Sequence, residues 1–283
     1  MTHLILQAPS LDKARIEQIA ALVSASGVQE LGPTAVRLLD ADASGREAVG
    51  QRCDEAGMDY AFLDQIALLR ECRVLAMDMD STLVNIECID EIADAVGRKA
   101  EVAAITEAAM RGEITDFAES LRRRVALLEG VPETALEQVY SERLQLNAGA
   151  QRLIDTAKAH GLKTLLVSGG FTFFTGRLKE RLGLDECHAN TLEIVDGRLT
   201  GRVLGDIVDA QAKAAHLSAL ADRLGAGPGQ IIAIGDGAND LKMMAKAGYS
   251  VAYRAKPVVR QQARLSLNYS PLDAVLNWFR LSH

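Results

Sequence analysis

Between residues 11 and 25 the apolar side chains Ile16, Ile19, Ala20 and Val23 fall three and four apart, the spacing that gives a helix one buried face. Around this stretch lie apolar runs of strand length at residues 4–7, 28–31, 35–40 and 60–63, with a second helical segment at 45–56. The order strand, helix, strand, strand, helix, strand predicts a small α/β unit over residues 1–70 with split βαβ, ferredoxin-like topology. It contains no cluster of carboxylates, Gly-rich phosphate loop or nucleophile signature, so the chemistry is expected elsewhere.

From Cys72 onward the pattern becomes an α/β alternation, which predicts a doubly wound parallel sheet over residues 72–283. Its expected strands are 73–77, 162–167, 230–234 and 250–253, and its helices 148–160, 172–182, 210–224 and 240–247. A hairpin is expected where 191–195 and 199–203 flank the turn Asp196-Gly197. The long stretch between the first two strands reads as four helices, at 89–96, 100–111, 115–128 and 133–144. A crossover between parallel strands needs only one helix, so the surplus predicts an inserted helical cap, about residues 87–146, placed over the strand ends.

Three of these strands end abruptly in polar residues suited to phosphate or metal: Asp78 and Asp80, then Ser168-Gly169-Gly170, then Gly235-Asp236-Gly237-Ala238-Asn239-Asp240. In an open parallel sheet such ends face one crevice, so segments distant in sequence are expected to converge. Each has an ordinary alternative. An isolated Asp-x-Asp is usually a solvated turn, Ser168 before two glycines reads as a helix N-cap, and Lys213 taken alone reads as a surface lysine. Read as a site, the Ser168 hydroxyl and the backbone N–H groups of Gly169 and Gly170 would form an anion cradle at a helix N-terminus.

Composition narrows the partners. A net charge of -7 with no basic block disfavours nucleic acid, so a small-molecule substrate is expected. The four cysteines form no CxxC pair and the five histidines do not cluster with them, which leaves a zinc site unsupported and free thiols expected. The first residues are too short an apolar run for a secretory signal, and no segment reaches membrane-spanning length; a cytoplasmic protein without a membrane partner is expected.

The segment Asp78-Met79-Asp80-Ser81-Thr82-Leu83 resembles the DxDx[TV] motif of the haloacid dehalogenase-like hydrolases, and Ser168-Gly169 and Gly235–Asp240 resemble that superfamily's second and fourth motifs. With Glu87-Cys88-Ile89-Asp90-Glu91, Ala109-Met110-Arg111-Gly112, Phe117, Ser120-Leu121-Arg122-Arg123-Arg124 and Ala255-Lys256-Pro257 in order, residues 72–283 are similar to its phosphoserine phosphatase family. That resemblance implies a Rossmannoid sheet with a helical cap, and hydrolysis of O-phosphoserine through an aspartyl-phosphate, the last step of serine biosynthesis. Asp78 would be the nucleophile and Asp80 the general acid and base. Mg²⁺ would be held by Asp78, Asp236 and the backbone carbonyl of Asp80, an oxygen-only set. Ser168, Gly169, Gly170 and Lys213 would face the phosphate, with Asn239 and Asp240 close by in support. Glu87 would meet the substrate ammonium and Arg124 its carboxylate, with Arg123 as the alternative, while Met110 and Phe117 close the apolar side.

Two other readings keep acidic strand ends and an aspartyl-phosphate: transfer to another alcohol or small phosphomonoester, and a phospho-accepting signalling receiver. The cap and Asp80 speak against the receiver, which needs neither an enclosed substrate nor an internal acid. The N-terminal unit resembles an ACT-type regulatory domain but has Ala8-Pro9-Ser10 where a Gly-rich turn would stand. Amino-acid sensing, homodimerisation and a purely structural role all stay open for it.

Overall fold

The computed structural model describes residues 2–110 and 113–281, Met110 by its backbone alone. The N-terminal elements are β1 (His3–Gln7), α1 (Lys13–Leu22), β2 (Gly27–Gly32), β3 (Ala35–Leu39), α2 (Arg46–Ala56) and β4 (Asp59–Leu63). They form one antiparallel sheet in the order β2-β3-β1-β4, the arrangement expected from the pattern. Because successive strand residues point to opposite faces, β1 serves two cores. Leu4 and Leu6 pack with Ile16, Ile19, Val49 and Cys53 under the helices, whereas Ile5 joins Ala61 and Leu63 in the core beneath the second sheet.

That second sheet begins with β5 (Val74–Met77). Four cap helices follow: α3 (Cys88–Ala95), α4 (Lys99–Met110), α5 (Phe117–Ala126) and α6 (Glu133–Gln138). The chain continues through α7 (Ala150–Ala159), β6 (Lys163–Phe171), α8 (Thr172–Leu182), β7 (Glu186–Val195), β8 (Arg198–Leu204) and α9 (Ala210–Leu224). It ends with β9 (Ile231–Gly235), α10 (Leu241–Met244), β10 (Tyr249–Tyr253), α11 (Pro257–Gln262), β11 (Leu265–Leu267) and a 3-10 turn at Leu272–Trp278. Seven strands lie in the order β11-β10-β9-β5-β6-β7-β8, parallel except where β8 returns against β7. Strand β5 lies between β6 and β9, so the chain order reverses there and the ends of all three strands meet in one crevice.

Several expectations need correction. Strand β6 does not stop at Val167 but runs through Ser168, Gly169 and Gly170, and Phe171 takes the N-cap position of α8. Ser168 is therefore no helix cap, and no helix N-terminus begins at the glycines. Strand β7 starts earlier than the hairpin signal suggested, because its first half pairs in parallel with β6 before β8 folds back. The turn itself is as read: Asp196 and Gly197 both adopt positive φ, 51° and 72°, as a type I′ turn requires. The helix expected over 133–144 ends at Gln138 and widens into a π-turn at Val139–Arg143. The segment from α11 onward carried no sequence expectation, since β11 is only three residues long. Among the described residues no helix is long and apolar enough to cross a membrane.

Candidate active site

Asp78 leaves the end of β5 anchored to β9, its N–H donating to the carbonyl of Ile234 at 3.0 Å, and its Oδ1 accepts from the N–H of Met79 at 2.7 Å. The chain then winds through a π-turn, Met79–Leu83, broken by the extended Asp80 and by Ser81 at φ 54°. A left-handed serine is unfavourable on its own and needs support from its surroundings. Asn147 supplies it, donating from Nδ2 to the carbonyls of Thr82 at 2.8 Å and Val84 at 3.1 Å. Asp78 and Asp80 are two residues apart, a spacing that would carry both side chains to one side only if the strand continued. A tight turn brings them to one cavity instead.

Lys213, on the first turn of α9, is fully buried rather than solvated. Its Nζ donates to Asp240 Oδ1 at 2.7 Å and lies 2.9 Å from Asp78 Oδ1. It does not line the cavity; it stands behind the nucleophile candidate. Asp240 Oδ2 accepts from the N–H of Gly237 at 3.1 Å, and Thr82 Oγ1 donates to Asp236 Oδ1 at 2.8 Å. A side chain at Gly235 would place its Cβ 2.5 Å from the Cβ and Cγ of Asp240, so glycine there is what lets Asp240 reach the lysine.

Carboxylate oxygens of Asp78, Asp236 and Asp240 lie within 4.8 Å of one another. Burial, then the nearby Asp240, hold the Asp78 carboxyl well above the usual range against the pull of Lys213. Burial pushes Asp236 up to about 6 despite the Thr82 hydrogen bond. Burial alone would strip the charge from Lys213, but Asp240 and Asp78 outweigh it and raise its pKa. Three carboxylates against one ammonium leave an unbalanced negative charge, and the donors are all oxygen. Both properties fit a hard divalent cation. The cluster differs from the sequence expectation in one respect: Asp240, expected only as a close support, belongs to it by its side chain.

Asp80 instead accepts from the N–H of Cys88 at 3.3 Å, and burial together with the charge of Glu87 lifts its carboxyl to about 7. Ser168 is buried, with its Oγ accepting from the N–H of Gly170 at 2.8 Å, so that N–H is engaged within the motif and not free for an anion as expected. Asn190 fixes the same loop, donating to the Gly169 carbonyl at 2.8 Å while accepting from the N–H of Val208 at 2.8 Å. A Cβ at Gly170 would come within 3.0 Å of Met79 Cε, Asp80 Oδ2 and Ser168 Oγ, and one at Gly169 would meet the Phe117 ring at 2.9 Å.

Over these groups the cap covers a cavity of about 110 Å³, bounded by cap helices above and the strand ends below. Asp78, Asp80, Ser168, Gly169, Gly170, Asp236 and Asn239 form its floor, and Glu87, Phe117 and Arg124 its upper wall. Glu87 opens to solvent at the mouth and accepts from Ser81 Oγ at 2.5 Å; desolvation by the cleft raises its pKa. Arg124 is half-buried, and burial lowers its pKa while Asp90, Glu87 and Asp80 favour its charge. Of the arginine run, Arg122 and Arg123 face solvent, and Arg123 pairs with Glu119 on its own helix. The structure thus brings Arg124, not Arg123, to the cavity. The Met110 side chain lies outside the described residues. Thr82, Asn147 and Asn190 received no role from the sequence; Thr82 stood inside a quoted motif, whereas nothing local marked the two asparagines.

Residues 75–245 match the haloacid dehalogenase-like hydrolase family, and residues 4–49 match a domain of unknown function, DUF4072. A phosphoserine phosphatase from Polaromonas sp. is 58% identical over 212 residues, covering 74% of this chain and 90% of the relative. The unliganded crystal structure of a probable phosphoserine phosphatase from Vibrio cholerae is 40% identical with a TM-score of 0.84, over 98% of this chain and 85% of that one. A phospho-aspartyl intermediate analogue of phosphoserine phosphatase is 39% identical with a TM-score of 0.69, over 74% of this chain and 99% of that one.

Proposed function

Because the chain belongs to the phosphoserine phosphatases of the haloacid dehalogenase-like hydrolase family, we propose that it hydrolyses O-phosphoserine to serine and inorganic phosphate through an aspartyl-phosphate on Asp78. One observation carries the assignment of substrate. Glu87 and Arg124, an anion and a cation, line the cavity whose floor holds Asp78 and Asp80. An ammonium and a carboxylate on one small phosphate ester match that pair, and arginine suits a carboxylate through its forked donors.

In this reading an Asp78 oxygen attacks phosphorus as the bond to the serine oxygen breaks, and Asp80 gives its proton to the departing oxygen. A carboxyl titrating near 7 is partly protonated at neutral pH, which suits that task. Asp80, now ionised, takes a proton from water as the water attacks phosphorus, which releases phosphate and restores Asp78. Lys213 holds Asp78 in place and offsets its charge from behind. Ser168 and Asn239 face the phosphate from the cavity floor, and Phe117 packs the cap against Gly169.

Mg²⁺ suits the oxygen donors of Asp78 and Asp236, joined by the Asp80 carbonyl, with Asp240 beside them; bound there it would offset negative charge and polarise the phosphate. An exposed edge strand, β2, with Val28 half exposed, supports homodimerisation. A reaction that supplies serine for biosynthesis supports a cytoplasmic location.

Phosphate release from O-phosphoserine, O-phosphoethanolamine and glycerol 3-phosphate, with and without EDTA, tests the proposal. Preferred turnover of O-phosphoserine that stops with EDTA and returns with Mg²⁺ is expected. Equal turnover of all three esters would overturn the role of Glu87 and Arg124, and turnover by Asp78→Asn would overturn the nucleophile.

A further inference from the structure

A cavity larger than the catalytic cleft lies away from it, where the two sheets meet edge to edge. Strands β4 and β11 are the adjoining edges, and a groove of about 370 Å³ runs along their seam. Three arginines line it from separate elements: Arg46 at the start of α2, Arg260 in α11 and Arg264 just before β11. None of the three forms a salt bridge among the described residues, although the chain carries a net charge of -7. Arg46 is held in place by its guanidinium, stacked 4.6 Å over the Phe62 ring.

Two acids border the groove, and the inner one has no capacity left for an arginine. Asp59, 2% exposed, accepts at Oδ1 from the N–H of Asn268 at 2.6 Å and at Oδ2 from those of Tyr269 at 3.1 Å and Ser270 at 2.7 Å. These bonds tie β4 to the segment after β11, so the groove is formed before anything binds. Asp54 is exposed on the helix side. The remaining lining offers neutral hydrogen-bonding groups at Ser266 and Asn268.

We infer that this seam groove binds a small organic polyanion, carrying two or more carboxylate or phosphate groups, between Arg46, Arg260 and Arg264. Its volume falls within the roughly 300–1,000 Å³ usual for small-molecule sites. Guanidinium groups from three elements suit several anionic groups on one molecule, each of which takes paired N–H donors. The ligand would bridge the N-terminal unit and the catalytic unit, since Arg46 belongs to one and Arg260 and Arg264 to the other.

Isothermal titration of the full chain at low salt, in buffer freed of divalent cations by chelating resin, using citrate as a polycarboxylate and ATP as a polyphosphate, tests this. Saturable binding of either probe, one per chain, is expected. Arg260→Gln and Arg264→Gln should each weaken it at least about fivefold, and the double variant should abolish it. Turnover of O-phosphoserine by these variants should stay within about twofold of the parent, which shows that they fold, because the arginines lie outside the cleft. Binding of citrate alone would assign a carboxylate ligand, and of ATP alone a phosphate ligand. No saturable binding of either probe up to about 10 mM, or undiminished binding by the double variant, would overturn the proposal.

Discussion

Lys213 and Asp240 form an ion pair at 2.7 Å in which neither side chain has any exposure to solvent. The same ammonium reaches Asp78 at 2.9 Å, so one buried cation supports a nucleophile from the first strand end and an acid from the third. Removing it leaves carboxylates facing one another in a desolvated site. Lys213→Ala should lower kcat by about 10²-fold or more and reduce stability by about 3–5 kcal/mol, the usual result of breaking a buried pair. Phosphate-release kinetics with denaturant unfolding would check both; a loss of less than threefold would contradict the supporting role.

Asp80 separates the proton-transfer role from the nucleophile. Asp80→Asn keeps the shape of the side chain and its place against Cys88 but cannot exchange a proton, so kcat should fall by about 10²–10⁴-fold. A stable phosphorylated chain trapped by this variant would place the block at hydrolysis, whereas none would place it at the first step. A normal rate would remove Asp80 from the mechanism.

The buried acids of the cleft set a pH dependence for the metal-free protein. Asp80 titrates at about 7 and Asp236 at about 6, both above the ordinary aspartate value of about 3.9. A carboxyl with a raised folded value stabilises the fold most when protonated in both states. That contribution is complete below about 3.9 and is lost as pH rises through 6 and 7. In EDTA, the thermal midpoint should therefore fall between about pH 5.5 and 8, and Mg²⁺ at pH 8 should raise it. A midpoint that climbs over this interval would show that the acids are not held as the structure places them.

Arg124 should govern substrate choice more than chemistry. Arg124→Ala is expected to raise KM for O-phosphoserine by about 10- to 100-fold, the range for one charge-assisted hydrogen-bonding group. Turnover of O-phosphoethanolamine, which lacks the carboxylate, should change little. Equal losses on both esters would show that Arg124 serves the cap or the phosphate instead.

Asn190 should act by position alone. It ties Gly169 to Val208, bridging the second strand end to the segment ahead of α9. Asn190→Ala should lower kcat/KM by about tenfold through displacement of the Ser168 loop, while leaving the rate-against-pH profile unmoved. A shift of that profile would mean that Asn190 acts on the titrating acids.

Much of the architecture was legible because apolar spacing is a local property. The helical face around Ile16 and Ile19, the helix at Thr172–Leu182 and the Asp196-Gly197 turn all depend on neighbours within a few residues. Strand β11 and the π-turns escaped, since three residues carry no period and a π-turn depends on what holds its ends. The cap alternative for Ser168 failed for a related reason: Ser-Gly-Gly before an apolar helix suits a cap, but pairing with β7 on either side of the segment, at Val167 and Phe171, and the Asn190 bond to Gly169 continue the strand through it.

The chain by itself determined which groups are available: two aspartates after one strand, a serine and two glycines after another, an acidic hexapeptide after a third, and a lysine between. Their chemistry follows from residue type and order. Only the folded structure decided their roles in space. It buried Lys213 between Asp78 and Asp240, turned Arg124 inward while Arg123 faced water, and brought the Asp240 side chain into the carboxylate cluster. Burial and convergence depend on residues far apart in the chain, and a local pattern cannot specify which distant side chain removes the water.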